Sequence, residues 1–361
     1  MAYRGRLFRR LFLIALIVYV APTSRGSAAA AEAAKGKLAE MIKKAAREGE
    51  IVYQGPDPSN NRPTQEMLRE MEAATEKHFG VKIRIKIDNA LSYPASTAKT
   101  LTEIKAGAPP TFDLMYQTEL SGAPLYKERA LEPIPWLELF PFITPKDLEW
   151  NGLGIIRSSY VLMPVYNSRL IKPQDAPKKW DDFLNPKWKG KLGMPIYPDP
   201  WLILAQPIAW GEAQTFKYLS KIVENNPKLG RYPEVHERVL SGETVVTWLS
   251  ERERTIDAKE RLGTPVDVVE VESALLQMNV LCIPKGARRP NAAALVAAAM
   301  LTKEGQDLEL KYRNLSSVSR PNTPAAEFAA KHRVITTNVD FILREGAELS
   351  KRIQGILLKK K

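Results

Sequence analysis

Two hydrophobic periods follow one another early in the chain, and their succession constrains the fold more than any other feature. Pro63 suits the first turn of a helix whose apolar face extends to Phe79, and Gly80 ends that helix. Residues 81–87 then alternate apolar and basic side chains, which is the period of a half-exposed strand. The apolar run 51–53 precedes the helix, so the order predicts a strand, a helix and a second strand.

The same alternation continues along the chain. We predict a helix at about 95–106, a strand at 112–116 and a long strand at 158–166. An Ala-rich helix at 290–301 and a final helix at about 337–358 follow. Strands that alternate with helices predict an α/β fold with a mainly parallel sheet, and such sheets bind ligands beyond the carboxyl ends of their strands.

Residues 1–30 have the three parts of an export signal. A basic start precedes the uncharged run 11–20, and a stretch of small residues ends the segment. We expect cleavage near residue 30 and a protein that acts outside the cytoplasm. The apolar run is shorter than the roughly 20 residues that span a bilayer, and a retained N-terminal anchor is the alternative. The pair Arg9-Arg10 also fits the twin-arginine export route, although Phe8 stands where that signal prefers Ser or Thr.

Charge and length narrow the classes of function. The signal contains five arginines and no acidic residue, so its removal lowers the formal net charge from +12 to +7. No Lys/Arg cluster with interleaved aromatic residues occurs outside the signal, so we expect no nucleic-acid partner. A diffuse positive field of this size attracts small anions or a membrane surface. The remaining chain is long enough for two hydrophobic cores, so we expect two lobes.

Few residues have the spacing of a catalytic or metal site. The single cysteine, Cys282, lies in an apolar strand pattern and is interpreted as a buried thiol. The three histidines form no metal-spaced pair, and the chain has neither a Gly-x-Ser-x-Gly turn nor a Gly-x-Gly-x-x-Gly loop. We therefore expect no cofactor and no metal, and an exported enzyme is the rival interpretation that these absences disfavour.

Several segments, in a shared order, resemble one known family. They are Glu48–Tyr53, Phe79–Ile83, Glu103–Gly107, Phe112–Leu114, Val165–Ser168, Pro177–Lys191, Ser241–Glu243 and Arg289–Ala293. In these segments the chain resembles the extracellular solute-binding proteins of ABC importers, in the family 1 or ferric-binding-like branch. The resemblance spans nearly the whole chain after the signal.

The resemblance implies a periplasmic-binding-protein-like type II fold, with two α/β lobes joined by a hinge and the ligand cleft between them. We expect residues 31–150 plus 276–330 to form lobe 1 and residues 151–275 to form lobe 2. Residues 331–361 are then a C-terminal helical segment that packs on a lobe. The implied protein is a periplasmic monomer that hands a small-molecule ligand to an ABC permease and its ATPase. A sensor subunit that presents its ligand to a membrane receptor is the alternative.

Eleven residues are candidate ligand contacts. Five follow strands of lobe 1, two lie where the chain first crosses between lobes, and four belong to lobe 2 segments in which the family binds ligands. They are Tyr53, Gln54, Ser59, Gln117, Thr118, Ser158, Ser159, Asp199, Trp201, Trp248 and Arg252. We expect the tryptophans to supply flat walls and Arg252 to pair with a carboxylate or phosphonate. Structural roles remain open for each, such as a helix cap for Asp199 and a surface charge for Arg252.

The expected class of ligand follows from one segment in which this chain differs from the ferric branch of the family. The ferric branch has adjacent tyrosines shortly after the segment that matches Ser241–Glu243, whereas residues 247–252 of this chain contain none. Iron(III) prefers hard anionic oxygen ligands, so iron is the second choice. The expected ligand is a small organic anion such as a carboxylate or phosphonate.

Overall fold

The computed structural model describes residues 24–56 and 61–359, with side chains from residue 31 onward. The helices are α1 (Ser24–Glu48), α2 (Arg62–Phe79), α3 (Tyr93–Lys105), α4 (Glu119–Lys127), α5 (Trp136–Leu139), α6 (Asp199–Ala205), α7 (Glu212–Ile222), α8 (Tyr232–Ser241), α9 (Arg252–Glu260), α10 (Pro290–Met300), α11 (Lys303–Arg313), α12 (Pro324–Lys331) and α13 (Val339–Leu357). The strands are β1 (Glu50–Gln54), β2 (Arg84–Asp88), β3 (Leu114–Thr118), β4 (Leu148–Glu149), β5 (Gly154–Asn167), β6 (Leu192–Pro195), β7 (Lys228–Gly230), β8 (Val246–Glu251), β9 (Val266–Val268), β10 (Ala274–Cys282) and β11 (Val334–Thr336).

Most of the predicted export signal lies outside the described residues. Helix α1 starts at Ser24 and therefore includes the end of the predicted signal. Among the described helices, none combines the length and the apolar character that a membrane crossing requires.

The predicted opening unit is present, and local chemistry explains its ends. The Asn61 side chain accepts a hydrogen bond from the Thr64 N–H at 2.9 Å, which caps the start of α2. Gly80 ends α2 in the left-handed conformation with φ of 71°, which glycine adopts without steric cost. Strand β2 pairs in parallel with β1 from Arg84 onward, so the ladder begins three residues later than the alternation predicts.

The strands form one continuous sheet in the order β2-β1-β3-β10-β5-β8-β6-β7. Pairing is parallel at both ends of this order, between β1 and its neighbours and between β6 and its neighbours. The central pairs β3/β10, β10/β5 and β5/β8 are antiparallel, which corrects the expectation of a mainly parallel sheet. The reason is that the long strands β5 and β10 carry the chain between two parallel halves in opposite directions.

Each half of the sheet has its own hydrophobic core. The first core lies among β1, β3, α2 and α10, which is buried from Ala292 to its end, whereas the second lies among β6, β8, α6, α7 and α13. Helix α13 packs on α6 and α7 and also on α4 of the first half. The α/β prediction with two lobes joined at a hinge is confirmed by this arrangement and by the structural neighbours described below. The exact lobe boundaries, at residues 150 and 275, stay a prediction.

Candidate functional site

One face of the central strands changes from apolar to polar and back to apolar. Ile155 and Leu281 belong to the core of lobe 1, whereas Leu162 and Leu275, further along the same two strands, belong to the core of lobe 2. A strand presents alternate residues to one face, so the positions between these pairs must cover the gap between the two cores.

The residues in that gap are polar. Asn279 pairs with Ser158 on β5 and with Thr118 on β3, and Gln277 pairs with Tyr160. Directly paired residues of antiparallel strands share a face, so these five side chains form one patch, which we call the polar strip. All of them except Tyr160 are at least nine-tenths buried. A buried polar strip between two apolar cores marks the floor of the cleft between the lobes.

Two oxygens of the polar strip have no hydrogen-bond partner among the described residues. They are Oε1 of Gln277 and Oδ1 of Asn279, in side chains whose residues are 4% and 0% exposed. The amide nitrogen of Asn279 donates to the Ser158 hydroxyl at 3.3 Å. Both acceptors therefore lie at the cleft floor without a donor from the described part of the chain.

Five tyrosine rings extend from lobe 1 to lobe 2 beside the polar strip. The ring centroids of Tyr93 and Tyr116 lie 5.8 Å apart, those of Tyr160 and Tyr232 lie 6.2 Å apart, and those of Tyr232 and Tyr197 lie 5.3 Å apart. Burial raises the pKa of the phenols at positions 116, 160, 197 and 232. Their hydroxyl groups therefore stay protonated at neutral pH and are available as hydrogen-bond donors.

A buried cluster of two arginines and one glutamate lies next to the tyrosines. Arg157 on β5 and Glu309 on α11 approach to 2.5 Å, with each side chain 1% exposed. Arg313, one helical turn further along α11, donates to Glu309 at 2.5 Å and to the Tyr116 hydroxyl at 3.3 Å. We call Arg157, Glu309 and Arg313 the arginine cluster; its net charge is +1.

The guanidinium of Arg157 stays charged in spite of its burial. Desolvation acts to lower its pKa, but the Glu309 carboxylate and Tyr53 outweigh that effect and raise the pKa overall. The Tyr53 hydroxyl also accepts a hydrogen bond from this guanidinium. A fixed positive charge therefore lies under the cleft floor.

A hydrogen bond crosses the cleft. The Thr118 hydroxyl, at the end of β3, donates to Oδ1 of Asp199 at the start of α6 with a separation of 3.1 Å. Burial raises the pKa of Asp199, and the hydrogen bond from Thr118 opposes that rise. Asp199 is the first helical residue after the cap residue Pro198, so it does not cap α6 as sequence reasoning allowed.

The structure brings three of the predicted contacts together, namely Thr118, Ser158 and Asp199. Ser159 faces the other side of the sheet, where its hydroxyl accepts from the Val318 N–H at 3.2 Å. Ser59 lies outside the described residues.

The predicted residues at the end of β1 and in β3 have partners of their own. The Gln117 amide nitrogen donates to Gln54 at 2.8 Å and to the Ser96 hydroxyl at 3.2 Å. These side chains lie on the face that α3 covers. Tyr53 is fully buried in the first core, with its hydroxyl bonded to Arg157. They support the cleft from beneath, which corrects the expectation that they line it.

Both predicted tryptophan walls belong to the second core. The rings of Trp201 and Trp248 stack on each other, with centroids 3.9 Å apart and planes 12° apart, and both residues are 0% exposed. This packing corrects the expectation that either ring faces a ligand, because each aromatic face that a ligand would use is covered by protein.

Arg252 also lies away from the polar strip. Its guanidinium stands 4.4 Å from the centroid of the Phe328 ring and pairs with Glu253 at 3.3 Å. Phe328 belongs to a third apolar cluster, on the side of β10 opposite to the strip. The structure therefore corrects the expectation for Arg252, and it is Arg313 that contacts Tyr116 beside the polar strip.

Sequence reasoning missed the arginine cluster and both strip amides. A signal for Arg157 exists, since it interrupts the otherwise apolar start of β5, and Gln277 and Asn279 interrupt β10 in the same way. Glu309 and Arg313 have the spacing of an ordinary exposed helix pair, so nothing in the sequence identifies them. Within residues 31–56 and 61–359, no group of three His, Cys, Asp or Glu side chains is placed to hold a metal ion.

Comparison with known proteins agrees with this geometry. Residues 70–332 match the family described as bacterial extracellular solute-binding protein. An uncharacterized protein of Haemophilus influenzae is 27% identical over 254 residues, which cover 64% of this chain and 68% of that protein.

Solved structures of binding proteins share the fold. Iron-bound HitA from Pseudomonas aeruginosa has a TM-score of 0.66 at 17% identity and covers 84% of this chain and 99% of its own. AfuA from Actinobacillus pleuropneumoniae, with fructose-6-phosphate bound, has a TM-score of 0.64 at 21% identity, with coverages of 86% and 98%. An ABC transporter substrate-binding protein from Bradyrhizobium japonicum has a TM-score of 0.66 at 17% identity, with coverages of 85% and 99%. The matched family and these structural neighbours are thus binding proteins rather than enzymes, and this chain belongs to the bacterial extracellular solute-binding protein family.

Proposed function

We propose that this protein captures a small organic anion, such as a carboxylate, phosphonate or phosphate ester, between its lobes and delivers it to an ABC permease. The observation that carries the proposal is the arginine cluster at the cleft floor. Two guanidinium groups lie there on one carboxylate, and that of Arg313 also donates to the Tyr116 hydroxyl.

Guanidinium groups bind carboxylate and phosphate oxygens through charge-assisted hydrogen bonds. The guanidinium of Arg313 already donates to the Tyr116 hydroxyl, which stands 3.4 Å from the Ser158 hydroxyl of the polar strip. An anion at this position would be attracted by the guanidinium charge and could accept from the protonated tyrosine hydroxyls. Charge-assisted hydrogen bonds of this kind are about twice as strong as neutral ones.

The proposal of delivery to a permease is supported by the family of the chain and by the hinge between its lobes. Strands β5 and β10 connect the lobes, and the Thr118–Asp199 hydrogen bond joins the two lobes directly. Closure around a ligand would present a surface that the open form lacks. Export to the periplasm through the N-terminal signal and action as a monomer belong to the same proposal, and a sensor role is the alternative.

The test uses ligand-free protein, prepared by unfolding, dialysis and refolding. Melting temperature is measured with carboxylates, phosphonates, phosphate esters, amines and ferric salts, and hits are titrated by calorimetry. An anion at a hundredfold excess over its Kd stabilises the fold by about 2.7 kcal/mol.

Arg313→Gln provides the residue-specific test, since it removes the net charge and leaves the Arg157–Glu309 pair intact. We expect it to weaken anion binding by about 10- to 100-fold, the value of one hydrogen bond to a charged group. Arg69→Gln, at an exposed position of α2, is the matched control and should leave the affinity unchanged. Stabilisation by amines or iron alone would contradict the proposal.

Iron(III) is the second candidate, and the tyrosines favour it. HitA holds iron on the same fold, and Tyr160, Tyr197 and Tyr232 are phenols that a ferric ion could bind. Their raised pKa means that iron must displace their protons, so iron affinity should rise with pH. A visible phenolate-to-iron absorption band that Tyr232→Phe weakens would establish this function in place of anion binding.

A further inference from the structure

The two unpartnered amide oxygens of the polar strip report on a second chemical group of the ligand. We infer that the bound anion also carries a hydrogen-bond donor, either a hydroxyl or an ammonium group, which Gln277 and Asn279 accept. This inference rests on the proposed function, because it places the donor next to the anionic group bound by Arg313.

Burial makes the unpartnered state costly. The Oε1 atom of Gln277 and the Oδ1 atom of Asn279 are both shielded from solvent and both lack a partner among the described residues. A buried acceptor without a donor costs about 1–3 kcal/mol. The buried amide of Asn167 avoids that cost. The amide of Asn167 donates to the Val239 carbonyl at 2.8 Å and accepts from the Arg169 N–H at 3.0 Å.

Local contacts fix the orientation of the Asn279 amide. Its nitrogen donates to the Ser158 hydroxyl, which also lies within hydrogen-bond distance of the Tyr116 hydroxyl. The nitrogen side of the amide is thus bonded to Ser158, beside the tyrosine that contacts Arg313, and the oxygen is the free end. Donor and anion sites therefore adjoin each other within one network.

Gln277 extends the acceptor surface along β10. It pairs with Tyr160, whose ring stacks on Tyr232 of lobe 2 at 6.2 Å. The Tyr232 hydroxyl is buried without a partner among the described residues as well. The floor thus offers amide oxygens next to a phenol, a combination that suits a ligand with an alcohol or an ammonium group. A ligand with an unsubstituted hydrocarbon chain would leave these amide oxygens unpaired.

The proposal distinguishes ligands that share a skeleton and differ in one group. The probes are succinate, malate and aspartate, and separately ethyl phosphate, 2-hydroxyethyl phosphate and phosphoethanolamine. Calorimetric titration of ligand-free protein should give at least a tenfold lower Kd for a donor-bearing member than for its unsubstituted parent. Tenfold corresponds to about 1.4 kcal/mol, within the range for satisfying one buried acceptor. Comparison of the alcohol with the amine identifies which donor is bound.

Gln277→Met keeps the side-chain length and removes the acceptor. This variant should reduce the tenfold preference to less than threefold, through weaker binding of the donor-bearing member. Gln214→Met, at an exposed position of α7, is the matched control and should keep the preference. Asn279→Ala is the second variant, with the same expected loss, in case one substitution impairs folding.

The two proposals fail in different ways. This inference is overturned if parent and donor-bearing anions bind with equal Kd while Arg313→Gln still weakens their binding. That outcome leaves anion binding in place. A preference that survives both Gln277→Met and Asn279→Ala also overturns it. Failure of every anion in both sets and in the wider panel overturns the proposed function itself, and this inference with it.

Discussion

Replacing Glu309 with glutamine tests whether the arginine cluster is as buried and as charge-dependent as its geometry indicates. The substitution keeps the side-chain size but leaves Arg157 and Arg313 without their shared carboxylate. At an effective dielectric constant near 20, each ion pair with charges about 4 Å apart contributes about 4 kcal/mol. The uncharged glutamine avoids the desolvation cost of the carboxylate, which is several kcal/mol. We expect a net loss of about 3–5 kcal/mol in the free energy of unfolding.

Glu304→Gln is the matched control, since Glu304 lies in the same helix and pairs with Lys77 at 2.9 Å while its side chain is 47% exposed. An exposed pair contributes about 1 kcal/mol or less. Urea unfolding is followed by far-UV circular dichroism and by tryptophan fluorescence, because agreement of the two signals establishes a two-state transition.

A double variant tests the interaction itself. Arg157→Met removes one of the two opposed guanidinium groups, so its combination with Glu309→Gln should cost less than the sum of the two single losses. A loss below about 1 kcal/mol for Glu309→Gln, equal to that of Glu304→Gln, would refute the reasoning. Such a result would mean that water reaches the cluster and screens its charges.

Two further predictions concern lobe 2. Desolvation lowers the pKa of His236 to about 4 from its ordinary 6.5, so between these pH values the unfolded chain binds a proton that the folded chain does not. Stability should therefore fall as the pH drops from 6.5 to 4, with up to about 3 kcal/mol due to this ring; urea unfolding at pH 7, 5.5 and 4 should show a smaller fall in His236→Gln, and an equal fall in both proteins would contradict the prediction. Trp201→Ala should lower the free energy of unfolding by about 3–5 kcal/mol, because it opens a cavity against the stacked Trp248 ring. The same variant should bind anions with unchanged Kd at 10 °C, and a selective loss of binding would show that Trp201 contacts the ligand after all.

Periodicity was a sound guide to the secondary structure. Helix α2 and its end at Gly80 could be predicted because capping and hydrophobic spacing are local properties. The direction of β10 could not, since strand pairing joins residues more than a hundred positions apart. The antiparallel centre of the sheet consequently appears in the structure and not in the sequence pattern.

The candidate site was predicted only in part, because some of its positions have a local sequence signal and others depend on long-range packing. Ser158 and Thr118 were found because they lie at a strand crossing and a strand end, which the sequence reveals. Trp201 and Trp248 were assigned to the cleft because an aromatic residue beside a loop has the same sequence signal whether it covers a ligand or another ring. Only the packing of α6 against β8 shows that they cover each other.

The sequence by itself determined the class of fold, the family and the order of helices and strands, since these depend on local spacing and on motifs that stay contiguous. Tertiary structure decided where the charge lies. Arg157 and Glu309 are separated by about 150 residues along the chain. The sequence around either residue does not show whether its charge is buried or exposed. Their approach to 2.5 Å follows from the docking of α11 against β5. The presence of two guanidinium groups under the cleft floor is therefore a property of the packed lobes, because long-range contacts select which charges are removed from water.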